Sequence, residues 1–249
     1  MDSTISEKIS KLRDIINSSD NIVFFGGAGV STESNIPDFR GAGGLYSERV
    51  GKRQLSPEII LSHTFFMNNT PEFYDYYKNK MIYKDAKPNS AHIALAKLEE
   101  MGKLRAVITQ NIDGLHQMAG SREVLELHGS VYKNHCMTCG KFFTLDYVLA
   151  SDGVPKCDVC HGIVKPDVVL YEENLDMNII EKSLNYIENA DVLIVAGTSL
   201  TVYPAAGLIR YYSGDKLILI NKTKTPYDEI ADLVINSSIG ETLKACVLL

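Results

Sequence analysis

Nowhere in the 249 residues does an apolar run approach the roughly 18 consecutive positions that a bilayer span requires, so no membrane role is expected. A basic excess is missing too. Lys and Arg number 25 against 31 Asp and Glu, a net charge of −6, and a surface of that sign has no general attraction for nucleic acid or anionic lipid. The opening stretch MDSTISEKISKLRDIINSSD lacks the apolar centre of a secretory leader. Cysteines are few, five in all. Without a leader they argue for a reducing, cytoplasmic setting and against a disulfide framework. Internal repeats and low-complexity tracts are absent as well.

What is present suits a globular chain, with 45% apolar and 22% charged residues and room for one large domain or a large and a small one. Short apolar runs recur at NIVFF (21–25), LRAVIT (104–109), EVLEL (123–127), DVLIVAG (191–197), KLILI (216–220) and DLVIN (232–236). Their apolar residues fall mostly on consecutive positions, as strands buried on both faces require. Between several of them lie helical patterns. Ile5, Ile9, Leu12 and Ile16 share one helical face, with Thr4 and Glu7 spaced as a capping box. Residues 89–102 start with Asn-Ser and stop at Gly, and 178–189 and 203–212 are further expected helices. Strands alternating with helices predict an α/β fold, a Rossmann-like parallel sheet with helices on both faces. Two stretches break the rhythm: about 40–85, Gly-rich and then aromatic, and about 131–164, which holds four of the five cysteines. They are expected to build a smaller second lobe of residues 40–85 and 131–164, inserted into a large domain of 1–39, 86–130 and 165–249. The Gly-rich start is expected to be a mobile loop.

The cysteine spacing is Cys136-x2-Cys139-x17-Cys157-x2-Cys160, that of a zinc ribbon. Each pair sits on a tight knuckle that aims two thiolates at one tetrahedral ion. With four sulfurs no position stays open for water, so one structural zinc is expected. His135 and His161 abut the cysteines as alternative ligands, against which the regular spacing argues. Cys246 reads as an apolar packing residue.

NIVFFGGAGVST is a strand followed by a Gly-rich turn, in which Gly27-Ala28-Gly29 would bring backbone amides to a diphosphate at a helix start. As a dinucleotide fingerprint it is imperfect. Thr32 stands where the third glycine belongs, and no acidic strand end follows about 20 residues on. The placement of polar residues says more. Ligands of open parallel sheets bind beyond the carboxyl ends of the strands. Five strand ends here lead into Gly26-Gly27-Ala28-Gly29, Thr109-Gln110-Asn111-Ile112-Asp113, His128-Gly129, Gly197-Thr198-Ser199 and Asn221. Turns favour such residues individually. Together they predict a phosphate-and-ribose cleft, with His128 placed to take a proton from a sugar hydroxyl.

GAGVSTESNIPDFRG (27–41), TQNIDGLHQMAG (109–120), LHG (127–129), the four cysteines and GTSLTVYPAA (197–206) together resemble the sirtuins, the bacterial-type NAD-dependent protein deacetylases. The resemblance spans nearly the whole chain. It implies NAD as co-substrate and acetyl-lysine proteins or peptides as partners, both entering a cleft between a Rossmann-like domain and a zinc-plus-helix domain. It implies roles as well. Ala28, Thr32, Phe39 and Arg40 fall in the cofactor loop. Gln110 would face the nicotinamide ribose, Ile112 and Asp113 the nicotinamide, and Asn111 would order water and ribose. His128 would be the general base, with Asn111 and Asp113 assisting. Thr198, Ser199, Asn221 and Ile239 would hold the adenosine end. Val169, Tyr171 and Val202 would flank the substrate peptide and add backbone hydrogen bonds to it as an extra strand would. The implied chemistry attacks the anomeric carbon with the acetyl oxygen as nicotinamide departs. His128 then deprotonates a ribose hydroxyl, which attacks the resulting imidate, and water completes the reaction to give free lysine and O-acetyl-ADP-ribose. Closure of the loop at 40–53 would keep out stray water.

The chain departs from the family pattern in places. Asn35 stands where Gly is usual, which asparagine's tolerance of left-handed backbone accommodates. VVLYEENLD replaces a Phe-Gly-Glu segment. Acidic-acyl deacylases of the family carry Tyr-x-x-Arg, whereas the nearest stretch here is Tyr77-Lys78-Asn79-Lys80. Lysine lacks arginine's planar fork for a carboxylate, so uncharged acyl groups are expected over succinyl or malonyl. Rival readings are protein mono-ADP-ribosyl transfer, which shares the first bond cleavage, and hydride transfer, which the fold alone would allow. A nucleic-acid-binding zinc ribbon is a third, against which the acidic balance weighs.

Overall fold

The computed structural model describes residues 3–39, 44–45 and 54–249. Arg40 and most of the Gly-rich stretch expected as a mobile, closing loop lie outside these residues. The elements are α1 (Ser3–Asn17), β1 (Ile22–Gly26), α2 (Pro57–Ile60), α3 (His63–Asn68), α4 (Thr70–Lys80), α5 (Ser90–Glu100), β2 (Leu104–Thr109), α6 (Leu115–Ala119) and β3 (Val124–Glu126). They continue as β4 (Gly129–Cys136), β5 (Phe142–Phe143), α7 (Leu145–Ala150), β6 (Val164–Val168), α8 (Met177–Asn189), β7 (Val192–Ala196), β8 (Leu217–Ile220), β9 (Leu233–Ile235) and α9 (Ile239–Val247).

All six apolar runs become strands of one parallel sheet, in the order β3-β2-β1-β7-β8-β9. Their continuous apolarity has a simple cause. In β1, Ile22 and Phe24 enter one core with α1, α5 and α9, while Val23 and Phe25 enter another with α8 and residues 205–211. β7 and β8 divide their side chains the same way. Each fully buried side chain of this size contributes about 2 kcal/mol of transfer free energy. In α1, the face of Ile9, Leu12 and Ile16 is buried as expected. Thr4 lies inside this helix, which is already running at Ser3, so it is not the cap. Residues 205–211, expected as α-helix, form a 3-10 helix instead. Ala205 with Leu208, and Ala206 with Ile209, are buried at the three-residue spacing that this tighter helix repeats.

The two rhythm-breaking stretches share a third core. Phe66, Phe73, Tyr74 and Tyr77 of α3 and α4 pack with Val131, Cys136, Cys157, Val164 and Val168 of the cysteine-bearing segment. Phe73 stands edge-on to Phe66 with centroids 4.9 Å apart and stacks on Tyr77 at 5.5 Å. The Tyr74 hydroxyl donates to the Val164 carbonyl, tying α4 to β6. β4 is flanked by β5 and β6 in an antiparallel sheet. This sheet runs from Gly129 to Val168, past both expected boundaries of the small lobe at 131 and 164, because β4 and β6 must pair along their length.

Candidate active site

Because the large sheet is parallel, the carboxyl ends of its strands share one edge, and the chain reverses its order of addition between β1 and β7. At that switch point the two backbones touch. The Gly27 N–H donates to the Ala196 carbonyl (3.1 Å) and the Gly29 N–H to that of Gly197 (2.8 Å). A Cβ on Gly29 would lie 2.7 Å from the Gly197 Cα. The glycines are therefore required for backbone contact between two strand ends. The Gly27 and Gly29 amides are engaged there. No α-helix follows. The turn passes into two 3-10 turns, Ala28–Val30 and Thr32–Ser34, and Asn35 closes the second at φ 62°, the left-handed conformation expected of it. Ala28 and Thr32 are partly exposed on this turn, and the Thr32 hydroxyl donates to the Gly29 carbonyl.

His128 follows β3. Its Nδ1 lies 3.0 Å from the Gln110 carbonyl oxygen. A carbonyl only accepts, so Nδ1 carries the proton and Nε2 keeps the lone pair. Burial lowers the pKa of His128 below that of a free histidine, against a smaller upward pull from this hydrogen bond. The ring is therefore neutral at pH 7 and basic at Nε2. Gln110 extends the network. Its Oε1 accepts from the Thr198 hydroxyl (3.3 Å), and the Asn221 amide donates to the Thr198 carbonyl (2.6 Å). The Gln110 Nε2 is buried without a protein partner. A buried donor left unpaired costs about 1–3 kcal/mol, so this atom suits a ligand hydroxyl or phosphate oxygen.

A second network stands beside it. The Ser31 hydroxyl donates to Asp113 Oδ2 (2.6 Å) and accepts from the Asn111 amide (3.0 Å). Asp113 Oδ1 accepts from the Leu115 N–H (2.9 Å). Burial raises the Asp113 carboxyl, and these donors pull it partly back. Ser31 is the member that sequence reasoning missed. Its one signal was its place inside the Gly-rich motif.

Other expected residues lie at the margins. Ile112 and Phe39 are half-buried and pack against the small-lobe core, so they stand where the lobes meet. The Ser199 hydroxyl bonds that of Thr201 (2.7 Å) on the surface. Ile239 is buried in the large-domain core, although its Cδ1 reaches Gly197. Part of the backbone of the expected peptide-flanking residues is already engaged within the protein. The Val169 N–H already donates to the His128 carbonyl, the Tyr171 N–H to that of Leu61, and the Val202 carbonyl accepts from Ala206. The Tyr171 carbonyl also accepts, from the His63 N–H. The Tyr171 ring is partly exposed.

The sulfurs of Cys136, Cys139, Cys157 and Cys160 lie within 4.8 Å of one another. Two of the separations are 3.4 and 3.6 Å, close to the roughly 3.8 Å edge of a tetrahedron with 2.3 Å Zn–S bonds. Knuckle amides of Thr138 and Val159 point at Cys136 and Cys157 sulfurs (both 3.4 Å). A Cβ on Gly162 would crowd the Cys136 sulfur at 3.0 Å. The four residues fit one zinc. Neither His135 nor His161 belongs to the cluster, which the four sulfurs fill. Seven strand steps of about 3.3 Å separate Cys136 from Gly129, so the metal sits roughly 20 Å from His128 and is structural.

A sequence profile of the Sir2 family matches residues 27–204. The chain belongs to the Sir2 family. Among its Sir2 relatives, an NAD-dependent protein deacetylase of Clostridium acetobutylicum is 62% identical over 242 residues, covering 97% of this chain and 98% of the relative. One of Clostridium tetani is 65% identical, covering 95% and 96%. A solved complex of Sir2 with a p53 peptide and NAD+ superposes with a TM-score of 0.83 at 41% identity, covering 95% of each chain. A Sir2 homologue–NAD complex gives 0.86 at 38%, covering 96% of this chain and 92% of that one.

Proposed function

We propose that this Sir2 chain is an NAD-dependent protein lysine deacetylase that moves the acetyl group of acetyl-lysine to ADP-ribose, releasing nicotinamide. The observation that carries the reading is the neutral imidazole of His128, with its proton fixed on the Gln110 carbonyl and its free lone pair at the ligand edge. NAD supplies a ribose whose bond to nicotinamide breaks, leaving ADP-ribose as the acyl acceptor. The protein's tasks are then few. His128 accepts a ribose hydroxyl proton at Nε2. The unpaired Gln110 Nε2 donates to the same sugar. Asn111 and Asp113, coupled through Ser31, hold water and the nicotinamide amide, with Ile112 beside them. Thr198 and Asn221 hold the adenosine end, with Ser199 and Ile239 at its rim. Ala28, Thr32, Phe39 and Arg40 form the cofactor loop. Val169, Tyr171 and Val202 line the path of the peptide.

The small lobe is proposed as residues 40–85 and 131–164 and the large domain as 1–39, 86–130 and 165–249, with the shared sheet edges at Gly129 and Val168 as their seam. Substrates are proposed to be acetylated proteins of the cytoplasm, in keeping with five cysteines that form no disulfide. No described helix is long and apolar enough to cross a membrane. Uncharged acyl groups are favoured, because Tyr77 is sunk in the small-lobe core against Phe73 and the residue three places on is Lys80, which lacks arginine's planar fork for a carboxylate. Incubation with NAD and an acetyl-lysine peptide, followed by mass spectrometry, tests the reading. The expected products are nicotinamide, O-acetyl-ADP-ribose and free lysine. NADH, or ADP-ribose attached to protein, would replace it with one of the rivals.

A further inference from the structure

A groove of about 400 Å3 opens between α2–α3 and the segment after β6. Its surface is largely apolar, from Ile59, Phe65 and Tyr171. Ile59 is 50% and Tyr171 37% exposed, a large apolar outlay for one small region. Two carboxylates, Glu58 and Glu172, line it as well, and among the described residues no lysine or arginine does. Glu172 has a left-handed backbone, φ 75°, rare for a residue with a side chain. The Thr64 N–H donates to its Oε2 at 2.9 Å, which holds the carboxylate in place. Its neighbour Glu173 is neutralised by Lys165 (3.1 Å) and engaged by His63, and so adds little to the field.

The groove adjoins the substrate path. The Val169 N–H is bonded to the carbonyl of His128 itself, and Tyr171 is two residues further on. Two extended residues span about 7 Å. A substrate running in extended form past His128 therefore brings a residue one to three places from the acetyl-lysine over Tyr171. A side chain with a long apolar stem and a cationic head fits what it meets there. The stem covers Ile59 and Phe65, the head meets the carboxylates, and a planar guanidinium can also stack on the Tyr171 ring. An acidic side chain would face like charge.

We infer that the Glu58–Tyr171–Glu172 groove is a specificity subsite that selects acetyl-lysine substrates carrying an arginine or lysine within three residues of the acetylated position. The inference rests on the deacetylase reading, and a binding measurement separates the two. Acetyl-lysine peptides identical except for Arg, Ala or Glu at each position from −3 to +3 are compared, by fluorescence anisotropy for binding and by nicotinamide release for turnover. At one or two positions the Arg peptide binds about tenfold more tightly than the Glu peptide at low salt, and the gap narrows as salt rises. In the Glu58→Gln/Glu172→Gln variant this ratio falls to near one. Glutamine keeps an amide oxygen to accept from Thr64, and Glu58→Gln alone, which touches no backbone bond, reduces the ratio part-way. In a Lys97→Gln control on the exposed face of α5 the ratio stays at its parental value. Equal binding of Arg and Glu peptides at every position, or full discrimination retained by the double variant, overturns the inference even if nicotinamide is released. Discrimination in binding without nicotinamide release would leave the subsite standing and sink the deacetylase reading.

Discussion

At the scale of single residues, the site depends on hydrogen bonds that set protons and not only positions. His128→Ala removes the one neutral base at the sheet edge, so deacetylation is expected to fall at least about a thousandfold, near the upper end of what a general base supplies. Circular dichroism and zinc content should match the parent, because the ring is only half-buried. Residual turnover within tenfold of the parent would show that another group takes the proton. Ser31 is the less obvious member. Ser31→Ala strips one donor from Asp113 and the acceptor of Asn111. A loss of about 1–2 kcal/mol of site organisation corresponds to a roughly tenfold drop in kcat/KM for NAD. Steady-state kinetics with varied NAD would measure it, and an unchanged value would make the serine a bystander.

At the scale of elements, the seam between the large sheet and the small one is narrow and unforgiving. Gly129 begins β4 directly after His128 with φ 75°, and a Cβ there would lie 1.7 Å from the Asp167 carbonyl oxygen on β6. Neither backbone can yield without parting β4 from β6. Gly129→Ala should therefore cost about 3 kcal/mol or more and displace His128 along with it. Urea denaturation and nicotinamide release together check this: a variant with parental midpoint and rate would contradict the close approach. The Gly-rich turn after β1 follows similar physics, with the Gly27 and Gly29 amides bonded to Ala196 and Gly197. A pattern that reads as phosphate-binding is also a packing device that lets two strand ends meet.

Across the whole molecule, the zinc centre and the aromatic helices are one structural unit, since Cys136 and Cys157 lie in the same core as Phe66 and Tyr74. Cys136→Ser should abolish bound zinc and lower the melting temperature by roughly 10 °C, because metal binding in such modules supplies folding energy. Parental zinc content with parental melting would refute the structural role. A buried histidine pair sets a second global property. His92 and His116 stack edge to face at 4.7 Å, both fully enclosed. Burial lowers His92 from 6.5 to about 4 and holds His116 well below the ordinary histidine value. The unfolded chain therefore binds protons below pH 6.5 that the folded one refuses, so stability is lost as pH falls. His92 alone accounts for about 3 kcal/mol between pH 7.5 and pH 4. Urea midpoints from pH 7.5 to 4.5 should decline accordingly, and His116→Phe should flatten the decline. A decline as steep in that variant would place the acid sensitivity elsewhere.

Much of this was written locally in the chain. The six strands were legible because each is buried on both faces, which forces consecutive apolar residues. The zinc ligands were legible because a tetrahedral site needs paired thiolates on knuckles. The meeting of the polar strand ends was legible because a parallel sheet gathers them at one edge. Tertiary structure alone decided the rest. Ser31 meets Asn111 and Asp113 across 80 and 82 positions of chain. The Gln110 carbonyl selects the His128 tautomer, and α2–α3 claim the Tyr171 backbone before any peptide can. Periodicity records how a residue is buried by its own element. Which donor meets which acceptor depends on separate elements packing together, and no local pattern carries that information.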